Sequence, residues 1–104
     1  MNLLISTLKE ELATVKRVER KYIDWLGKLP DESFIVRRVR GGKYVYANKR
    51  VGFRVVQRYV GKATEARVKE CMGINAKKKE YRKKLKSVRE QRKMIERALR
   101  GLKK

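Results

Sequence analysis

The chain is 104 residues long and carries 31 Lys or Arg against 11 Asp or Glu, with no His, for a formal net charge of +20. The missing histidine removes the commonest general base and metal ligand, and a lone Cys71 excludes an internal disulfide and a multi-cysteine zinc site. A threefold excess of one sign differs from the mixed-sign ion-pair networks of thermophile surfaces and points to a polyanionic partner, DNA or RNA, with sequence preference expected to be weak.

At 41% apolar content the chain can form a small core, and a single domain over residues 1–104 is expected. Ile5, Leu8, Leu12, Val15, Val18, Tyr22, Trp25 and Leu26 fall at three- or four-residue steps with no Gly or Pro before Gly27. The spacing predicts a helix over 3–26, closed by Gly27, with the helical segment 1–29 bounded by Leu29-Pro30. Trp25 is expected as a core anchor where this helix meets the next segment. Leu3, Leu4 and Ile5 are followed too soon by Lys9, Glu10 and Glu11 for a signal peptide, and no run approaches membrane-spanning length, so a cytoplasmic location is expected.

Between Ser33 and Val60 the vocabulary turns β-branched and aromatic: Phe34-Ile35-Val36, Tyr44-Val45-Tyr46, Phe53 to Val56, Tyr59-Val60. A three-stranded antiparallel meander over 33–60 is predicted, with Gly41-Gly42 in the first turn and a longer second turn around Asn48 to Gly52. Arg37, Arg38, Arg40, Lys43, Lys49, Arg50, Arg54 and Arg58 are interleaved with Tyr44, Tyr46, Phe53 and Tyr59. That combination serves backbone neutralisation plus stacking. Strand pleating puts Tyr44 and Tyr46 on one face and Val45 on the other. Either face can be the buried one, and burying the tyrosines with their hydroxyls at the edge is the ordinary choice. Arg54, Val56 and Arg58 share one side of the third strand.

Gly61 is expected to end the sheet, followed by a short helix from Lys62 or Thr64 to Met72, a break at Gly73, and Asn75 capping a final helix from Ala76. Residues 62–104 thus form a basic helical region. From Lys77 to Lys104 there are fourteen Lys or Arg against three acids, yet Tyr81, Leu85, Val88, Arg92, Ile95, Leu99 and Leu102 form a seam of heptad type, interrupted only by Arg92. The architecture predicted is α+β: long helix, meander, short helix, long basic helix. The two long helices pair as in an antiparallel coiled coil, within one chain or across a homodimer. Lys77, Lys78, Lys79, Arg82, Lys83, Lys86, Arg89 and Lys93 lie largely off the seam and suit phosphate contacts. The seam has Tyr81 and aliphatics rather than Trp or Phe, which argues for packing over lipid binding.

Catalysis is not expected. Most acids lie one helical turn from a Lys or Arg, as in intrahelical ion pairs, and the seven glycines form no nucleotide loop. No cofactor or metal is implied. Cys71 has no histidine to activate it and reads as a small buried residue.

The order Leu29-Pro30, Ser33, Gly42-Lys43-Tyr44-Val45-Tyr46, Arg50 and Arg58-Tyr59-Val60-Gly61-Lys62, followed by a charged helix, resembles a loose group of small, mostly uncharacterised proteins of bacteria, archaea and mobile elements. The resemblance covers residues 29–62. Similar glycine-tyrosine hairpins look like those near the N-termini of some transposases, which implies a DNA-associated role. Two functions follow as expectations: non-catalytic nucleic-acid binding, or an interaction protein of a mobile element that binds a host nucleic-acid enzyme or ribonucleoprotein.

Overall fold

The computed structural model describes residues 2–102, in the order α1 (Leu3–Lys28), β1 (Ser33–Val39), β2 (Gly42–Val51), β3 (Arg54–Lys62) and α2 (Glu65–Leu102). The strands form one antiparallel sheet in the order β1-β2-β3, so the fold is α+β with two helices. The chain divides into two compact units, one made of Met1–Leu26 with Glu80–Lys104 and the other of Gly27–Lys79. Among the described residues no helix is long and apolar enough to cross a membrane.

In the helical unit Asn2 caps α1, its Oδ1 accepting from the Leu4 N–H at 3.0 Å and the Ile5 N–H at 3.4 Å. The two helices run antiparallel within the chain. Glu19 faces Arg92, and Tyr22 and Trp25 meet Tyr81 with ring centroids 5.6–6.0 Å apart. Val15, Leu85 and Leu99 are buried. Trp25 is 42% exposed and packs on Tyr22 and Tyr81, so it borders the seam rather than anchoring a core.

Arg92, the polar interruption of the heptad, is compensated where it stands. Its Nε donates to Glu19 at 2.7 Å and its Nη1 to Glu96 at 2.7 Å, while Arg89 adds a 3.6 Å contact to the other Glu19 oxygen. The Glu96 and then the Glu19 hydrogen bonds push the Arg92 guanidinium above its already high range, so it stays charged throughout the accessible pH scale.

In the sheet unit two tight turns set the register. Arg40 (φ 50°) and Gly41 (φ 82°) form the first, one residue earlier than Gly41-Gly42. Positive φ at both positions marks the turn whose twist suits a two-residue hairpin. Gly42 belongs to β2 instead, where a Cβ would lie 2.8 Å from the Tyr44 hydroxyl. The second turn is Gly52-Phe53, with Gly52 at φ 63°. It is shorter than expected because β2 continues through Asn48 to Val51. A bulge between Val45 and Tyr46 leaves Val60 as the extra residue of β3 and pairs Gly61 with Val45. Gly61 is therefore inside the strand rather than ending it.

The last helix is continuous from Glu65 to Leu102, in place of a short helix, a break at Gly73 and a second start after Asn75. Thr64 caps it, accepting from the Arg67 N–H at 3.2 Å. Three ties hold its first half to the sheet. Arg67 donates to the Lys62 carbonyl at 2.8 Å and fills the space a Cβ on Gly61 would need. Asn75 accepts from the Phe34 N–H at 3.0 Å and donates to the Phe34 carbonyl at 2.7 Å. Lys78 donates to the Glu32 carbonyl at 3.0 Å. The Asn75 pair acts as a ladder rung on the outer edge of β1, closing an edge that would otherwise be open to pairing. These contacts outweigh the cost of about 1 kcal/mol for a glycine inside a helix.

Candidate nucleic-acid interface

Cross-strand partners in an antiparallel sheet share a face, so the register divides the sheet. One face carries Phe34, Val36, Val45, Ala47, Val56, Arg58 and Gly61. Val45 and Ala47 are both 0% exposed, and Arg67 of α2 lies against Gly61, so this is the side α2 covers. The other face carries Ile35, Arg37, Tyr44, Tyr46, Asn48, Arg50, Val55, Gln57 and Tyr59, none of them buried. The tyrosines therefore point outward and Val45 is core, the reverse of the ordinary choice. Small side chains at 45 and 47 let the helix approach; phenol rings there would hold it away.

On the open face the three tyrosines form a cluster. Tyr59 lies 5.7 Å from Tyr46 and 6.1 Å from Tyr44 between ring centroids. The Arg37 guanidinium carbon sits 5.6 Å from the Tyr46 ring centroid, a cation–π contact of about 0.5–1 kcal/mol when exposed. Arg37 also donates to Gln57 Oε1 at 2.7 Å, and Gln57 Nε2 donates to Asn48 Oδ1 at 3.0 Å. This chain fixes both the cation and the amides beside the rings. A hollow of about 290 Å³ opens between Val39, Arg40, Tyr44, Tyr46 and Tyr59. Flat aromatic surface held at fixed spacing beside cations can stack bases and hold phosphate.

The predicted contact residues separate accordingly. Arg37, Arg40, Tyr44, Tyr46 and Arg50 belong to the open face or its turn; Arg38, Lys43, Lys49, Arg54 and Arg58 belong to the opposite side. Arg54, Val56 and Arg58 do share one side of β3, but Arg58 is held by Glu32 at 3.0 Å and Lys49 approaches Asp31 at 3.9 Å. Lys77 and Lys79 are exposed. Lys78 is only 4% exposed, with its ammonium on the Glu32 carbonyl, so it is a structural residue and not a phosphate contact. In the helical unit Arg82, Lys83, Lys86, Arg89 and Lys93 are exposed. Arg82, Lys86, Arg89 and Lys93 line a trough of about 350 Å³ with Leu85 and Glu90, a basic stripe of roughly 16 Å by helical rise.

Tyr59, Gln57 and Asn48 complete the open face. Their signal is the two-residue period Val55, Gln57, Tyr59, offset by one from Arg54, Val56, Arg58. The heptad of α2, extended backward from Leu99, Arg92 and Leu85, passes through Lys78 and Cys71, both buried. That extension is the signal that sets Lys78 apart from its exposed neighbours. Burial, and then the nearby Glu70 carboxylate, push the Cys71 thiol above its ordinary range, opposite to what a nucleophile needs. Among the described residues no group of three metal-ligating side chains comes together.

Compared with protein-family models, with curated proteins and with solved structures, the chain gives no match.

Proposed function

We propose that this chain is a non-catalytic nucleic-acid-binding protein. The observation that carries the reading is the tyrosine cluster on the uncovered face of the sheet, fixed beside Arg37 in a chain of net charge +20. Large aromatic rings left out of the core that buries Val45 and Ala47 are surface held ready for a flat partner, and nucleic acid supplies that partner in its bases and the negative charge the protein lacks in its phosphates. Unpaired bases are the favoured ligand of such a face, because stacked bases inside a duplex expose no ring surface. The basic stripe from Arg82 to Lys93 supplies phosphate contacts that carry no sequence information.

Fluorescence anisotropy against single-stranded and duplex DNA and structured RNA, at about 50 and 200 mM salt, tests this directly. Binding is expected to weaken steeply with salt. Tyr46→Ala should lower affinity for single strands about five- to 150-fold, the worth of one stacked base, with the salt slope unchanged. Replacing Arg82, Lys86 and Lys93 together by Ala should shallow the slope by roughly 0.7–0.9 for each phosphate no longer neutralised. Absence of binding to all three ligands at low salt would overturn the reading.

A further inference from the structure

The hairpin of β2 and β3 extends past the end of β1. The last β1 pairing is Ser33 with Asn48, while β2 and β3 stay paired through Lys49–Val56, Arg50–Val55 and Val51–Arg54. Three residues of overhang reach about 10 Å beyond the sheet by strand rise. At the tip Phe53 is 106% exposed, and behind it Val51, Val55 and Val56 are each at least half exposed, on both sides of the ribbon. No core claims this apolar end. Arg50 and Arg54 flank it, with no ion pair to either among the described residues.

A bare phenylalanine in this turn adds nothing to folding, since its ring meets nothing. An aromatic tip between unpaired cations is complementary to a base pair whose edges are ringed by phosphates. The open face continues from that tip without interruption: Arg50 and Val55, then Asn48 and Gln57 with Arg37, then Tyr46 and Tyr59, then Tyr44. We propose that the hairpin is a pin for the junction between duplex and single-stranded DNA. Phe53 stacks on the last base pair, Arg50 and Arg54 hold its phosphates, and the departing unpaired strand runs along the open face to the tyrosines. The proposal rests on base stacking by that face and assigns it a direction and a substrate shape. DNA is the form named, and the matching RNA junction in the test separates it from RNA, whose duplex offers the same terminal pair and phosphates.

Tyr46 lies five residues behind the Val51–Arg54 pair that ends the ribbon, about 17 Å along the strand. A tail of several nucleotides is therefore needed before both ends of the track are engaged. The test is anisotropy with one DNA duplex bearing 3′ or 5′ tails of increasing length, with the blunt duplex and the free tail as controls. 2-Aminopurine in the terminal pair reports contact with the ring. Wild-type protein should prefer the tailed duplex to either control, with the preference rising with tail length and then levelling, and should change the 2-aminopurine emission on binding. Phe53→Ala should remove that preference, about five- to 150-fold, and the emission change. It should leave the melting temperature unaltered and lower junction affinity by more than single-strand affinity, and Phe53→Trp should restore both junction signals.

Wild-type binding to single strands that depends on Tyr46, with no preference for the junction, would overturn the pin and leave the stacking face standing. Loss of single-strand binding altogether would remove both. Equal or tighter binding to the matching RNA junction would overturn the choice of DNA. Conversion of a dimer to a monomer by Phe53→Ala in size-exclusion chromatography, with junction affinity unchanged, would make the tip a self-association surface and end the proposal.

Discussion

The two faces of the sheet are built from alternate residues of the same strands and have opposite contents. Behind β2 sit Val45 and Ala47, fully buried under a helix tied down by Arg67, Asn75 and Lys78. In front sit Tyr44 and Tyr46, with far more apolar area, neither of them buried. A sheet that used its rings for stability would place them the other way round, since burial of an aromatic side chain contributes more than burial of Ala or Val. The arrangement keeps the core small and leaves Tyr44 and Tyr46 half-buried and Tyr59 exposed on the other face.

The largest effect that separates the faces is a charge placed on each. Val45→Asp buries an unpaired carboxylate, and a loss above about 4 kcal/mol should abolish the cooperative thermal transition seen by circular dichroism. Tyr46→Asp, one residue away, should keep that transition and lose nucleic-acid binding. Two variants equally unfolded would mean that the front face is also structural, and the contrast between the faces would collapse.

A smaller effect sharpens what holds the helix on the back. Asn75→Ala leaves the Phe34 N–H and carbonyl without their partner, at about 1–3 kcal/mol, measured by urea denaturation. The folded variant should bind nucleic acid as well as the parent; reduced affinity at full folding would show that the two faces are coupled.

The smallest effect is at Cys71, whose thiol burial raises above its ordinary range. An acid with a raised pKa in the fold holds its proton longer than in the unfolded chain. Its contribution is therefore fully present below the unfolded pKa and is lost as pH rises through the folded one. Cys71→Ala should flatten part of the fall in melting temperature above about pH 9, past the ordinary thiol range. An identical alkaline decline in both proteins would place the thiol outside the packed region.

Much of this architecture was legible because its signals are local. The three- and four-residue apolar steps of α1 and the β-branched runs of β1 to β3 state their own periods, and Pro30 marks its own boundary. What was not legible depends on partners far along the chain. Asn75 reads as a helix cap until Phe34, 41 residues earlier, is beside it, and Gly73 reads as a break for the same reason. The tyrosine face could be separated from the Val45 face by period, but which one a helix covers depends on how closely that helix comes. Lys78 among Lys77 and Lys79 looks like solvent-facing charge, and the Glu32 carbonyl, 46 residues earlier, helps make its burial tolerable. The exposed face itself, with Tyr59, Gln57 and Asn48 aligned, required the register and the bulge at Val60.

The division into units has a consequence for how the chain is made. The sheet unit is one uninterrupted stretch, Gly27–Lys79, whereas the helical unit needs Met1–Leu26 and Glu80–Lys104 together. During synthesis, which proceeds from the N-terminus, α1 emerges before the sheet, and the segment of α2 that pairs with its apolar stripe emerges after it. The sheet and the first turns of α2 can be complete before then. The opposing arm that Glu19 requires, with Arg89 and Arg92 on it, comes last. The tyrosine surface can thus be complete before α1 and the second half of α2 are joined.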